Sequence, residues 1–282
     1  MEQHASYYFH RILLLILAAS FLSTDGVFGQ DIERHQEHTA HNEPAVISAI
    51  RSEIESNRVD RDEGFLLMVR YAFDEAQRQQ LQDQYIDHRS MSDEAGEIPL
   101  MITDPAGHDF IKCFTPYIAE FQDVLQLQTP AALQAKEILE VPATESANVY
   151  LSPSGRFALQ YYTDGDHAVP AEDTNASGVP DYIEYAAEYA DSTWNYLVGT
   201  LGFRDPVRYN IPYVIYFQKM DHYGYTNPHS SGSTTMIVVH HTFIRDDGSP
   251  FPPNHDENQQ LGSLKATIAH ELKHAIQYET NR

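Results

Sequence analysis

With 41 acidic against 18 basic residues, the 282-residue chain carries a formal charge of −23. A chain that negative repels nucleic acid and anionic membrane surfaces, and its few basic residues form no cluster, which excludes a polyanionic partner. One cysteine rules out an intramolecular disulfide framework, and the length holds one domain plus a substantial preceding region.

The N-terminus reads as an export signal. His10 and Arg11 precede the apolar run from Ile12 to Ala19, and Val27-Phe28-Gly29 offers a small-residue cleavage site before Gln30. The run is too short for a transmembrane helix, and an uncleaved anchor is the competing reading. Cleavage removes Glu2, Arg11 and Asp25, a net −1, and leaves a soluble secreted portion near −22. Residues 30–44 are polar and carry His35, His38 and His41. They read as a solvated tail, with metal scavenging as the rarer alternative.

Helical patterning begins at Ala45. Val46, Ile50 and Ile54 keep one face apolar, and residues 66–85 are rich in helix formers with no breaker. A further helical stretch spans 117–139, interrupted at Pro130, and the acidic, turn-rich stretch 91–107 lies between the two. Cys113 stands in Lys112-Cys113-Phe114-Thr115-Pro116. A lone cysteine ahead of a metal motif has two readings. It is a buried thiol acting as a small hydrophobe, or a latency device whose thiolate fills an open metal position until its segment is cut away. Residues 140–147 make the best linker, which divides a mostly helical region (30–146), expected as a pro-region if the part that follows proves catalytic, from the domain 147–282.

Past the linker the pattern changes to alternating aromatic and β-branched residues. Residues 157–162 read as a strand after a Ser-Pro-Ser-Gly turn. In residues 173–184, Asp173, Asn175, Ser177, Asp181 and Glu184 place oxygens at loop positions 1, 3, 5, 9 and 12, with Gly178 at 6 and the Val179 carbonyl at 7. That spacing wraps a chain around calcium (Ca2+) and resembles an EF-hand loop. Pro180 and the Val169-Pro170 pair depart from it, so the expectation is a lone structural loop capping the next helix. An acidic turn before a helix is the plainer alternative. That helix is expected over 181–201, with an apolar stripe of Ile183, Ala187, Ala190, Trp194, Leu197 and Leu201 and a stop at Gly202.

Residues 213–217 read as a strand, 223–232 as a loop and 234–240 as another strand. His240 and His241 fit extra metal ligands or, more commonly, solvent-facing flanks of that strand. Residues 245–260 read as a loop bordering a cleft. The chain closes on residues 264–280, where His270-Glu271-x-x-His274 sits in a breaker-free helical pattern with Ser263 as the expected N-cap. Spacing i, i+4 stacks both imidazoles on one face, within reach of one metal ion. Ile268, Leu272 and Ile276 fall on the opposite face. Two neutral imidazoles with an open position favour zinc (Zn2+), and Glu271, beside the first ligand, can take a proton from a metal-activated water.

The His270-Glu271-Leu272-Lys273-His274 motif resembles that of the zincin metallopeptidases. With the 235–239 strand and the 173–184 loop, it is similar to a group of exported bacterial metalloproteases over roughly half the chain. The resemblance implies zinc held by His270 and His274, Glu271 as general base, and peptide or protein substrates. It also implies an α/β (α+β) zincin-like fold, in which a twisted mixed sheet carries a backing helix and an active-site helix. Gln277 and Thr280 stand where metzincins have Gly and a third His, so the resemblance leans to the branch whose third ligand is a later glutamate, and the chain reads as truncated before it. Cys113, with Pro116 three residues on, resembles the cysteine-switch segment of matrix metalloprotease propeptides. From another class, an exported calcium-binding structural or adhesive protein with a vestigial metal helix also fits, as does an inactive enzyme fragment.

Overall fold

The structure of the chain, a computed structural model, describes residues 43–86, 111, 113–140, 147–207, 211–228, 235–245, 248–251 and 258–280. The expected signal segment, most of the histidine-rich tail, the stretch 91–107 and most of the linker lie outside the described residues. The described residues belong to one compact unit. Among them no helix is long and apolar enough to cross a membrane.

The helical region follows its apolar periodicity, with two corrections. Helix α1 (Ala45–Glu55) buries Val46, Ile47, Ala49 and Ile50. The single helix expected over 66–85 is two, α2 (Arg61–Phe73) and α3 (Glu75–Ile86). Asp74 separates them at φ −122° and ψ 104°. Its Oδ1 accepts the Gln77 N–H at 3.1 Å, so a short polar side chain caps the second helix. Helix α4 (Thr115–Glu120) leads through a 3-10 turn (Val124–Gln126) to α5 (Pro130–Leu139). Pro130 opens α5 rather than interrupting a longer helix. The Thr129 hydroxyl accepts the Ala132 N–H at 3.3 Å, and a proline in the first turn loses no ladder bond.

Five strands form one mixed sheet: β1 (Asn148–Leu151), β2 (Phe157–Tyr161), β3 (Tyr213–Gln218), β4 (Gly224–Pro228) and β5 (Thr235–His240), in the order β1-β2-β3-β5-β4. The three inner strands run parallel, and both edges are antiparallel to their neighbours. The molecule is therefore mixed α/β, as its patterning indicates. Strand β4 corrects the sequence reading, which assigns 223–232 to a loop. Gly, Asn and Pro are depleted in strands, and pairing with β5 overrides that preference.

Alternation divides the sheet between two cores. Tyr213, Ile215 and Phe217 of β3 and Ile237 and Val239 of β5 pack against α6 (Asp181–Trp194) and α7 (Gln259–Thr280). Val238, Tyr225 and Met220 join the other core, with the residues of α1, α2, α4 and α5. Both faces of β5 are thus covered and all six of its residues are buried, which is why its middle, Met236 to Val239, is an unbroken apolar run. Helix α6 ends earlier than its stripe suggests. A π-helical segment (Asn195–Thr200) follows it, and Gly202 closes the turn at φ 73°. Leu201 is 44% exposed, so the buried stripe stops at Leu197.

Candidate metal centre

Helix α7 starts at Gln259, ahead of the expected N-cap Ser263, which lies buried inside it. Asn258 does the capping, its Oδ1 accepting the Leu261 N–H at 3.0 Å. Ile268 and Leu272 are fully buried and Ile276 nearly so. Each such side chain contributes about 1.5–3 kcal/mol of burial, enough to fix which face of the helix looks inward. His270 is consequently exposed and His274 half-buried, with their Nε2 atoms 3.0 Å apart. Gln277 Oε1 lies 2.9 Å from His274 Nδ1. With Nδ1 donating to that oxygen, Nε2 of His274 would be left to bind a metal shared with His270.

Cys113 reaches the same place from far upstream. It bridges Gly224 in parallel, and the Phe114 N–H donates to the Gly224 carbonyl at 3.4 Å, so the segment lies along the outer edge of β4. The ligand atoms of Cys113, His270 and His274 all lie within 4.8 Å of one another. No other group of three His, Cys, Asp or Glu among the described residues converges in this way. Tetrahedral zinc, at about 2.0–2.1 Å from nitrogen and 2.3 Å from sulfur, needs donors roughly 3.3–3.6 Å apart. Two imidazoles and a thiol within 4.8 Å are a donor set that zinc accepts once the thiol closes on the histidine pair, with Cys113 in the position that a latency ligand would take. Without a metal, burial and then the neighbouring Glu271 charge push the Cys113 thiol well above its ordinary range. A bound metal reverses that logic, because a coordinating thiol is deprotonated outright.

Gly224 makes this approach possible. A Cβ there would sit 2.7 Å from the Val238 carbonyl oxygen and 2.9 Å from Thr267 Cγ2. Only glycine lets β4 pass this close to both β5 and α7.

Glu271 is 1% exposed. Its Oε2 accepts the Thr115 and Thr226 hydroxyls, each at 2.9 Å, and the Thr226 N–H in turn donates to Thr115 Oγ1 at 2.7 Å. Oε1 takes no hydrogen bond among the described residues. One carboxylate oxygen is therefore anchored by both hydroxyls, and the carboxylate also interacts with the Cys113 thiol. Thr115, Gly224, Thr226 and Gln277 escape the sequence reading. Thr115 and Gln277 lie two or three residues from a recognisable ligand, whereas Gly224 and Thr226 lie in a strand that reads as a loop.

The other predicted positions lie elsewhere. In the 173–184 loop, Asp173 accepts the Ser177 and Gly178 N–H groups at 3.0 and 2.9 Å, and Asn175 Nδ2 donates to Glu184 Oε2 at 2.7 Å. Asp181 accepts the Thr174 hydroxyl at 2.7 Å, and Ser177 Oγ donates to the Val179 carbonyl at 3.2 Å. Ala176 adopts φ 55°, which tightens the turn. His240 is neither a ligand nor a solvent-facing flank. It is 3% exposed, and its Nδ1 accepts the Thr242 and Phe243 N–H groups at 3.0 and 2.7 Å. Burial holds its pKa down, at about 2. His241 Nδ1 lies 2.8 Å from the Ala168 carbonyl oxygen.

No protein-family model matches the chain, and no curated protein or solved structure matches it either.

Proposed function

We propose that this chain is the latent precursor of an exported, zinc-dependent peptidase of zincin type, with His270 and His274 as metal ligands, Glu271 as general base and Cys113 as the latency ligand. The observation that carries the reading is the meeting of Cys113 with the His270–His274 pair, within 4.8 Å, on the flank of a nearly inaccessible glutamate. A motif helix lying against a sheet beside an antiparallel edge strand also suits it. So does the occupation of that edge by the segment bearing the cysteine.

Bound zinc supplies a Lewis acid at this site and eases deprotonation of water. Glu271 takes the proton from the attacking water through Oε1 and passes it to the leaving amine. The thiol holds residues 113–115 along the edge of β4, where they compete with substrate and engage the carboxylate, so its loss frees the segment to give way. Calcium belongs to the same reading. Asp173, Asn175, Ser177, Val179, Asp181 and Glu184 lie in one internally hydrogen-bonded loop ahead of α6, and a cation there would have to draw their oxygens together to tie the loop to the helix.

Peptide hydrolysis by the Cys113→Ser chain tests the proposal. The variant is expected to cleave an unstructured protein substrate in a zinc-dependent way, and Glu271→Gln in that background to bind zinc without turnover. Undiminished hydrolysis by the Glu271→Gln variant would refute the assignment.

A further inference from the structure

Glu271 is held by two hydroxyls that have different fates. Thr115 belongs to the segment that carries Cys113, and on the peptidase reading it leaves with that segment. Thr226 belongs to β4, where it pairs opposite Ile237 of β5, and it stays. Thr226 is fully buried, and its Oγ1 lies 2.9 Å from both Oε2 and the backbone carbonyl oxygen of Glu271. That carbonyl lies in the interior of α7, where the helix ladder already supplies a donor. Packing asks for no hydroxyl either. Position 226 is an enclosed strand position that valine fills with the same shape; the hydroxyl's one proton reaches Oε2 and the carbonyl at the same distance, and of the two acceptors the carboxylate is the one without a helix-ladder donor.

We infer that Thr226 is the positioning residue for Glu271: its hydroxyl fixes Oε2 and the side-chain rotamer, so that Oε1 is the oxygen presented to the reacting water. The inference rests on the peptidase reading above. In the precursor the Thr115 hydroxyl doubles the grip on Oε2 and occupies the Thr226 N–H. Once residues 113–115 depart, Thr226 alone keeps the base aligned. Losing that alignment slows the chemical step and leaves peptide binding intact, because Thr226 touches the base and not the metal ligands.

The test compares Thr226→Val, which is isosteric, with Thr226→Ser, which restores the hydroxyl, in the full chain carrying Cys113→Ser and Thr115→Val, so that Thr115 no longer shares the grip on Oε2, with a zinc supplement and a quenched-fluorescent peptide. Expected is a roughly 10- to 100-fold fall in kcat for Val with KM changed less than twofold and zinc content unchanged, and recovery to within a few-fold for Ser. A Val variant whose folded fraction has normal kcat overturns the inference while the peptidase reading stands. Full activity of Glu271→Gln sinks the reading itself. A second readout needs no activity: urea midpoints of the metal-free precursor carrying Thr226→Val, Glu271→Leu or both, with Thr226→Ala in place of Val where that folds better. Thr226 substitution should lower the midpoint less once Glu271 is Leu, and additive shifts overturn the inference.

Discussion

The Thr115 hydroxyl donates to Glu271 Oε2 at 2.9 Å across 156 residues of chain, tying the helical region to the motif helix at the one carboxylate that the proposed chemistry depends on. With Cys113 two residues away at the histidine pair, one short segment engages both the metal ligands and the base.

Removing the thiol should therefore act on metal retention before it acts on anything else. Cys113→Ser is expected to weaken zinc binding by the precursor about 10- to 100-fold, an extent ordinary for disturbing a metal site, while its melting behaviour in the metal-free state stays close to wild type. Thiol alkylation supplies a check on the unmodified chain. Because the metal-free thiol is held well above its ordinary range, labelling is read near the urea midpoint at alkaline pH, where stoichiometric zinc should slow it and chelation restore it; equal labelling there would speak against a metal-bound thiol.

Gly224 should tolerate no side chain. A methyl group at 2.7 Å from the Val238 carbonyl oxygen cannot be relieved by rotating a side chain, so Gly224→Ala must push β4 away from β5 or α7. The expected cost is about 1–3 kcal/mol, typical of overpacking, read as a lower urea midpoint with loss of Cys113 protection. An unchanged midpoint would mean that the approach of β4 is looser than described.

Acid should loosen the junction of the helical region with the sheet through His222. Its ring is 1% exposed and packs edge-on against Phe73 at 4.6 Å, with Tyr225 at 5.8 Å. Burial first, then the Arg78 charge, hold its pKa down, at about 3, and Arg78 itself pairs with Asp221 at 2.6 Å. The unfolded chain binds a proton near pH 6.5 that the native ring refuses, so stability is full above pH 6.5 and is lost progressively as pH falls toward 3. By pH 5 this amounts to about 2 kcal/mol. Urea unfolding at pH 7 and pH 5 should show that loss in wild type and a smaller one in His222→Phe, and equal losses would remove His222 as the cause.

On the proposed reading, calcium should act at a distance from Cys113, His270 and His274. Added Ca2+ is expected to raise the melting temperature by a few degrees, the size that about 1 kcal/mol produces in a domain of this length. Asp173→Ala or Glu184→Gln should abolish the rise without touching zinc stoichiometry. A rise that survives both substitutions would place the cation elsewhere.

Periodicity carried most of the fold. Ile268, Leu272 and Ile276 point α7 inward as their spacing demands, and the unbroken apolar run of β5 is buried on both faces. Local polar choices were harder to read. Asp74 splits a helix because its side chain caps the next one, although its neighbours are all good helix formers. Strand β4 was hidden because Gly224, Asn227 and Pro228 belong to turn vocabulary. Gly224 is there for close approach, and Asn227 Nδ2 donates to the Leu139 carbonyl at 3.2 Å. The one-face pairing of His270 and His274 was legible in five residues, whereas Thr115 and Thr226 were not, since hydroxyls that meet only through tertiary contact leave no spacing to read.

Zinc stoichiometry and affinity of the full chain, measured by competition with a chromophoric chelator, test the central claim most directly. One tightly held zinc per chain is expected, lost on His270→Ala or His274→Ala and weakened on Cys113→Ser. A wild-type chain that holds no zinc, or one whose binding is indifferent to all three substitutions, would contradict the account.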